Sequence, residues 1–325
     1  MRAQSLASIA GALLGWAGVA TAVDVNIPVD SGTLERQLGT EPLEIVTAEI
    51  SRPKAKGDIT LKAEVSCAGG PAFRVKLRRA EPGAEDFNNR PRYDLAAYEL
   101  QKLFLDADDY VVPPTALRMV PLDELLEYAP EARPTFRGSD EVLVVLQYWL
   151  QEVKVIADVY DPALFAADPG YARHVGQLNV LTYLIEHGDG NVGNFLLSRA
   201  ESSPRVFSVD NGVAFAYNES DRSEIWKKLR VDRLPADTVE RLRRITREDL
   251  HRRLGVLAQW RLEGGSWIAV PPGENIAPQR GVRETDDVVQ LGLRKSEIDR
   301  LGRRLSELLG LVDSGRVKVV QEGPT

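Results

Sequence analysis

Three polar side chains at a fixed spacing could together carry out chemistry on a phosphate. Asp189 is followed by Asn194, and Asp210 comes at the end of the second of two short predicted strands. In phosphoryl transfer one carboxylate meets the acceptor hydroxyl, while an amide and a second carboxylate hold a metal ion on the phosphates. These residue types in this order therefore predict a phosphoryl-transfer site.

Two neighbouring loops are predicted to bring these side chains together. The first loop, which starts at His187, follows an apolar helix and runs into a short strand, and the second loop, at 209–215, follows the next strand. Loops at the ends of adjacent strands lie side by side, so the three polar groups can converge on one point. Asp189-Gly190 and Asn211-Gly212 are also common in plain turns, which are the alternative for each motif taken alone.

The chain before these loops alternates apolar and polar residues, which predicts an antiparallel meander. Its three strands are predicted at Glu44–Arg52, Ile59–Cys67 and 73–78. Lys76 lies on the same side of the third strand as Arg74 and Arg78, and its charge could balance that of nucleotide phosphates. The elements predicted next are a helix at Asp94–Phe104, an extended segment at Val111–Thr115 and a buried strand at Val142–Leu146.

Beyond residue 150 the apolar periodicity becomes predominantly helical. Helices are predicted at Tyr171–Glu186, Ser223–Leu229, Ala236–Ile245, Arg247–Gln259 and Ser296–Leu311. The expected fold class is α+β, with an antiparallel-sheet part at 23–150 and a mainly helical part at 151–325.

Taken in order, the motifs resemble those of protein kinases. His187-x-Asp189-x-x-x-x-Asn194 is similar to the H-R-D-x-x-x-x-N catalytic loop, with glycine in place of the arginine. Asp210-Asn211-Gly212 is similar to the D-F-G metal loop, with asparagine in place of phenylalanine, and Lys76 resembles the lysine of the third strand. The helix and the Pro113-Pro114 segment are especially similar to atypical kinases, among them type II phosphatidylinositol 4-kinases, Golgi secretory-pathway kinases, HipA-type kinases and CotH-type kinases. The resemblance covers residues 45–215.

This resemblance implies a bilobal protein-kinase-like fold and a phosphotransferase that uses ATP with Mg²⁺ or Mn²⁺. It implies that Asp189 is the catalytic carboxylate and that Asn194 and Asp210 are the metal ligands. It also implies that Lys76 binds the nucleotide phosphates.

Two features of the nucleotide site stay open at the level of sequence. The acidic partner of Lys76 is either Asp94, which stands where the family has a glutamate, or Glu99, the only glutamate in that helix. The sequence has no G-x-G-x-x-G loop, so Lys54 and Lys56 of the first hairpin are the candidates for further contacts to the nucleotide.

The acceptor is expected to be a hydroxyl group on a protein, a lipid head group or a sugar. An exported pseudokinase, which binds a nucleotide or a partner without turnover, is the alternative, and the same residues also allow transfer of AMP. Retention of all four site residues of the family pattern favours activity. The chain has no G-x-S-x-G motif, three histidines and one cysteine, which argues against a serine hydrolase and a zinc site.

Composition and the N-terminus bear on partners and location. A net charge of -7 gives no reason to expect nucleic-acid binding.

The N-terminus has the order of a secretory signal, with Arg2, the apolar stretch Leu6–Ala20 and then Ala20-Thr21-Ala22. We therefore expect cleavage after residue 22 and a periplasmic or secreted protein. The apolar stretch is shorter than the roughly 18 residues of a membrane span, so no stable span is expected after cleavage. Cys67, the single cysteine, cannot form an internal disulfide.

Overall fold

The computed structural model describes residues 24–50, 60–85, 90–215 and 225–321. The predicted signal segment at 1–22 lies outside these ranges, as do Lys54 and Lys56 of the first hairpin. Among the helices in the described ranges, none combines the length and the apolar character needed to cross a membrane.

A five-stranded antiparallel sheet forms the first part of the chain. In chain order its elements and the helices between them are α1 (Ser31–Gly39), β1 (Leu43–Ile50), β2 (Thr60–Cys67), β3 (Phe73–Arg79), α2 (Pro91–Gln101), β4 (Thr115–Pro121), α3 (Leu122–Leu126) and β5 (Glu141–Tyr148). The strands lie in the order β1-β2-β3-β5-β4. The three-stranded meander predicted from alternation is present, and β5 is the predicted apolar strand.

The two faces of this sheet have different roles because successive side chains on a strand point to opposite sides. One face is apolar and packs with α1 and α3 in a core cluster that includes Leu61, Val75 and Leu146. On the other face the strand register places Lys76 beside Gln147. Helix α2 packs on this second face, and its side chains are buried at nearly every position, including charged ones.

The next part of the chain carries the predicted site loops. Its elements are β6 (Val153–Val155), α4 (Pro162–Ala167), α5 (Pro169–Leu184), β7 (Phe195–Ser198), β8 (Val206–Ser208), β9 (Arg233–Pro235), α6 (Ala236–Arg244) and α7 (Arg247–Leu254). Strands β6, β7 and β8 form a small antiparallel sheet. Helix α5 begins at Pro169 after the N-cap Asp168, whose side chain accepts the Tyr171 N–H, and it is the apolar helix predicted before the first loop.

The last part of the chain contains a sheet that the sequence analysis did not predict. Its elements are β10 (Ala258–Glu263), β11 (Ser266–Val270), β12 (Val282–Glu284), β13 (Val288–Leu291), α8 (Lys295–Asp313) and β14 (Lys318–Val320). The four strands β10–β13 form one antiparallel sheet. The prediction that residues 151–325 are mainly helical did not include this sheet. A two-residue hairpin, Gly264-Gly265, joins β10 to β11, and both glycines have positive φ, 59° and 88°.

Two predicted helices also need correction. The helix predicted at Arg247–Gln259 ends at Leu254, because Gly255 closes it and alternating residues of β10 follow. Of the helix predicted at Ser223–Leu229, the described residues 225–229 form a turn and a bend rather than a helix. Helix α1, which was not predicted, begins after the N-cap Asp30, whose carboxylate accepts the Thr33 N–H at 2.8 Å.

Candidate active site

The two loops that carry the predicted site residues emerge at the same end of a strand pair. Asn194 directly precedes β7 and Asp210 follows β8, and Phe195 pairs with Ser208 in the antiparallel register. The Val209 N–H donates to the Asn194 carbonyl oxygen at 2.9 Å, and the Gly188 N–H donates to the Val213 carbonyl at 2.7 Å. The backbones of the two loops are therefore hydrogen-bonded to each other.

The Asp189 carboxylate is oriented by two amide side chains of its own loop. Asn191 Nδ2 donates to Asp189 Oδ1. Asn194 Nδ2 donates to the Asp189 carbonyl oxygen at 2.6 Å and to its Oδ2 at 3.2 Å. A carboxylate held in this way can accept a proton from a hydroxyl group placed beside it.

His187 supports this loop from the interior. Its ring is fully buried, and its Nδ1 accepts the Asp189 N–H at 3.3 Å. Burial lowers the pKa of His187 to about 4, although the nearby Asp210 carboxylate opposes this shift. The imidazole is therefore neutral near pH 7, which lets its Nδ1 accept the backbone hydrogen bond that holds the loop.

Asp210 receives two cationic side chains from strand β3. Lys76 Nζ lies 3.0 Å from Asp210 Oδ1, and Arg78 Nη1 donates to the same oxygen at 2.6 Å. The Asp210 backbone is left-handed, with φ of 60°, a conformation that aspartate adopts more readily than most non-glycine residues. Backbone strain of this kind is often found at functional sites.

Arg78 also links this cluster to helix α2. Its Nη2 donates to Asp94 Oδ2, and both side chains are only 2% exposed. Arg78 thus lies between the carboxylate of Asp94 and that of Asp210. The sequence analysis placed Arg78 on the same strand face as Lys76 but gave it no role, and that shared face was the signal from which a role could have been inferred.

The glycine of the second loop leaves room for this ion pair. A Cβ atom on Gly212 would lie 2.7 Å from Arg78 Nη2 and 3.1 Å from Asp94 Oδ2. The close approach of the loop backbone to the guanidinium therefore requires glycine at this position.

The two acidic candidates on α2 lie in different surroundings. Asp94 joins the cluster through Arg78, whereas Glu99 contacts Lys102 at 2.7 Å and Arg253 of α7 at 2.5 Å. The contacts of Glu99 fix the later part of α2 to α7, and those of Asp94 fix its first turn to β3.

The residues at the loop ends suit a hard divalent cation. Asn194 uses its Nδ2 to donate to Asp189, so its Oδ1 is the atom that could bind a cation. Asp210 supplies a carboxylate on the adjoining loop. Magnesium commonly uses one or two protein oxygens together with water and substrate phosphates. In the described ranges there is no cluster of three or more histidine, cysteine, aspartate or glutamate side chains for a metal held by protein alone.

The five-stranded antiparallel sheet, the helices packed on it and the paired loops together resemble the fold of a known kinase. Among solved structures, the chain is similar to the Golgi casein kinase, with a TM-score of 0.51 and 13% sequence identity over 88% of this chain and 74% of that chain. At this identity the likeness shows the fold alone. The likeness confirms a kinase-like fold of mixed helices and antiparallel sheet, without assignment to a particular kinase family, and the division into two lobes stays a prediction. No family model matches the sequence, and no curated protein matches it.

Proposed function

We propose that this protein is an ATP-dependent phosphotransferase with a bilobal kinase-like architecture. In this proposal residues 23–150 form the first lobe, residues 151–325 form the second, and the nucleotide binds between them. The single observation that carries the proposal is the ion cluster in which Lys76 and Arg78 contact Asp210 beside the loop of Asp189 and Asn194.

Each residue of the site has a role in the proposed reaction. Asp189 accepts the proton of the acceptor hydroxyl while the hydroxyl oxygen bonds to the γ-phosphorus of ATP. The bond from that phosphorus to the β,γ-bridging oxygen breaks, and ADP leaves with the electron pair. Lys76 binds the phosphates. Asn194 and Asp210 would hold Mg²⁺ or Mn²⁺, whose charge offsets that of the phosphates.

Arg78 is assigned a supporting role. Its guanidinium is buried and bonded to Asp94 and Asp210, so it holds helix α2 and the second loop in register rather than contacting solvent or substrate. Lys76 has a more exposed side chain, at 15%, and its single ammonium group suits a phosphate oxygen. Kinases need a cation on the third strand that pairs with an acid on the helix. Here two neighbouring cations would share that task, since Arg78 pairs with Asp94 and Lys76 would bind the phosphates.

The acceptor is proposed to be a hydroxyl group on a protein, a lipid head group or a sugar. Export to the periplasm or the medium is also part of the proposal and is supported by the residues at 1–22. The alternative, a pseudokinase, makes a different prediction in the same experiment.

The test uses the chain from Val23 with ATP labelled at either the α- or the γ-phosphate, in the presence of Mg²⁺ or Mn²⁺. We expect γ-label in a product, no transfer of α-label, and loss of transfer in Asp210→Ala. Asp232→Ala, which removes an exposed carboxylate outside the site, is the matched control and should retain activity. Transfer of α-label would show AMP transfer instead, and ATP binding without transfer to any acceptor or to water would favour the pseudokinase.

A further inference from the structure

We propose that Glu297, on the C-terminal helix α8, is a positioning residue for the reaction at the Asp210 loop. Its side chain fixes the first turn of α2 and thereby the Asp94 carboxylate that holds Arg78. This inference rests on the proposed function for its catalytic consequence, and its structural part can be measured independently of activity.

The Glu297 carboxylate forms a buried bidentate pair with α2. Arg92 Nη1 donates to its Oε2 at 2.7 Å and Arg92 Nη2 donates to its Oε1 at 3.1 Å. The Tyr93 hydroxyl donates to Oε1 at 2.6 Å, and the Arg294 N–H donates to Oε2 at 2.7 Å. Arg92 is fully buried and Glu297 is 9% exposed. Burial alone would raise the pKa of Glu297, but the Arg92 charge and these hydrogen bonds hold it below its usual range.

The packing around Arg92 leaves its guanidinium little room to move. A Cβ atom on Gly281 would lie 2.2 Å from Arg92 Nε, so the residue before β12 must be glycine to admit the side chain. The same Nε donates to Glu85 at 2.7 Å, and the guanidinium carbon lies 4.2 Å from the centre of the Tyr93 ring. Arg92 is therefore held from several sides, with Glu297 as its bidentate partner.

The first turn of α2 connects this pair to the site. Arg92 and Asp94 are two residues apart, and side chains at that spacing point to different sides of a helix. One side chain contacts α8 while the other contacts Arg78 on β3, and Arg78 contacts Asp210. A shift or rotation of this turn that lengthens the Arg92–Glu297 contact must therefore also move Asp94 relative to Arg78.

The later part of α2 has its own supports, which makes the first turn the place where Glu297 acts. Tyr98 donates to Glu35 of α1 at 2.5 Å, and Gln101 accepts the N–H groups of Val111 and Val112. At the start of the helix, the N-cap residue Arg90 makes no capping hydrogen bond with its side chain. The side-chain bonds from Arg92 and Tyr93 to Glu297 therefore hold this end of the helix.

The test compares Glu297→Gln with Asp299→Asn. The first change keeps the shape of the side chain and removes its charge. The second removes a charge two residues along α8 whose partners, Lys295, Arg247 and His251, are not on α2. We measure kcat, KM for ATP and melting temperature, together with hydrogen exchange of residues 90–101 and 208–214, at a temperature where every variant is folded.

For Glu297→Gln we expect faster exchange in both segments and a decrease of about tenfold to a hundredfold in kcat, with a smaller change in KM, because catalysis is sensitive to small displacements. Asp299→Asn should leave exchange and kcat unchanged. Arg92→Lys keeps the charge but cannot form the bidentate pair, so it should show a smaller effect of the same kind. It is the replacement test variant if Glu297→Gln does not fold.

Glu297 is merely structural if its variant melts at a lower temperature while kcat and the exchange of residues 208–214 stay as in the wild type; that result overturns the inference. If the wild type transfers no phosphate, the proposed function fails and hydrogen exchange decides the positional claim. Faster exchange in both segments then supports the link from Glu297 to the Asp210 loop, and a change confined to α2 overturns it.

Discussion

Replacing Gly212 by alanine should disturb the site more than the stability of the protein. The new Cβ would lie 2.7 Å from Arg78 Nη2 and 3.0 Å from Nη1. Because carboxylates on two elements hold that guanidinium, it cannot rotate away without breaking an ion pair with Asp94 or Asp210. Overpacking of this kind costs about 1–3 kcal/mol of folding free energy, which corresponds to a decrease in melting temperature of about 2–5 °C for a chain of this length.

The effect on catalysis should be larger, because displacement of Arg78 changes the position of Asp210. We expect kcat to decrease by about tenfold to a hundredfold. Thermal unfolding and steady-state phosphoryl transfer measure the two effects on the same preparation. Gly310→Ala is the matched control, since a Cβ at that position in α8 meets no atom within 4 Å; it should stabilise the protein by about 0.4–1 kcal/mol and leave kcat unchanged. Wild-type kcat in Gly212→Ala would refute the proposed role of the Arg78 contact.

Three further outcomes follow from the same contacts and from the sequence. Asp94→Asn should lower kcat by about tenfold or more, because it leaves the buried Arg78 beside a neutral group. Glu99→Gln should stay near wild-type kcat. Equal losses in the two variants would contradict the assignment of Asp94 as the acid that supports the site. The folded-state pKa of His187, about 4, lies below its ordinary 6.5, so the unfolded chain binds more protons and stability should fall as pH decreases from 6.5 toward 4. Over that interval His187→Gln should lose less free energy of unfolding than the wild type, by an amount on the order of 3 kcal/mol. Urea titrations at several pH values measure this difference. An identical pH dependence in both proteins would contradict the buried neutral state. N-terminal sequencing of the protein recovered from the periplasm or medium should begin at Val23, and an intact N-terminus in the cytosol would contradict export.

Local patterns were sufficient to predict the elements that carry the site. Alternation predicted β2 and β3, because one face of each strand carries apolar side chains and the other carries mostly polar ones. The apolar helix α5 and the strand-end loops were equally clear, since polar residues of the loops follow long apolar stretches. These features fixed the position of Lys76, Asp189 and Asp210 along the fold before any tertiary contact was known.

Contacts between distant parts of the chain could not be predicted in the same way. The sequence analysis noted Arg78 but could not show that it lies between Asp94 and Asp210, because that contact depends on how α2 packs on the sheet. Likewise, nothing near Glu297 in the sequence indicates Arg92, which is two hundred and five residues away.

The sheet of β10–β13 was a different kind of omission. Its first hairpin has a recognisable signal, since alternating residues around Trp260 and Trp267 flank the turn Gly264-Gly265. The helical periodicity of α7 was extended past Gly255 and obscured that signal. Gly255, directly after Leu254, is the residue in the sequence that marks the end of this helix.

The central claim, that Asp189 is the catalytic carboxylate of a phosphotransferase, is tested most directly by single-turnover phosphoryl transfer in Asp189→Asn. Asparagine keeps the shape of the side chain and removes the charge that accepts the proton. We predict that the variant binds ATP with wild-type affinity and transfers the γ-phosphate about a hundredfold to ten-thousandfold more slowly. Transfer at the wild-type rate would contradict the account, because Asp189 would then be a turn residue without a part in the chemistry.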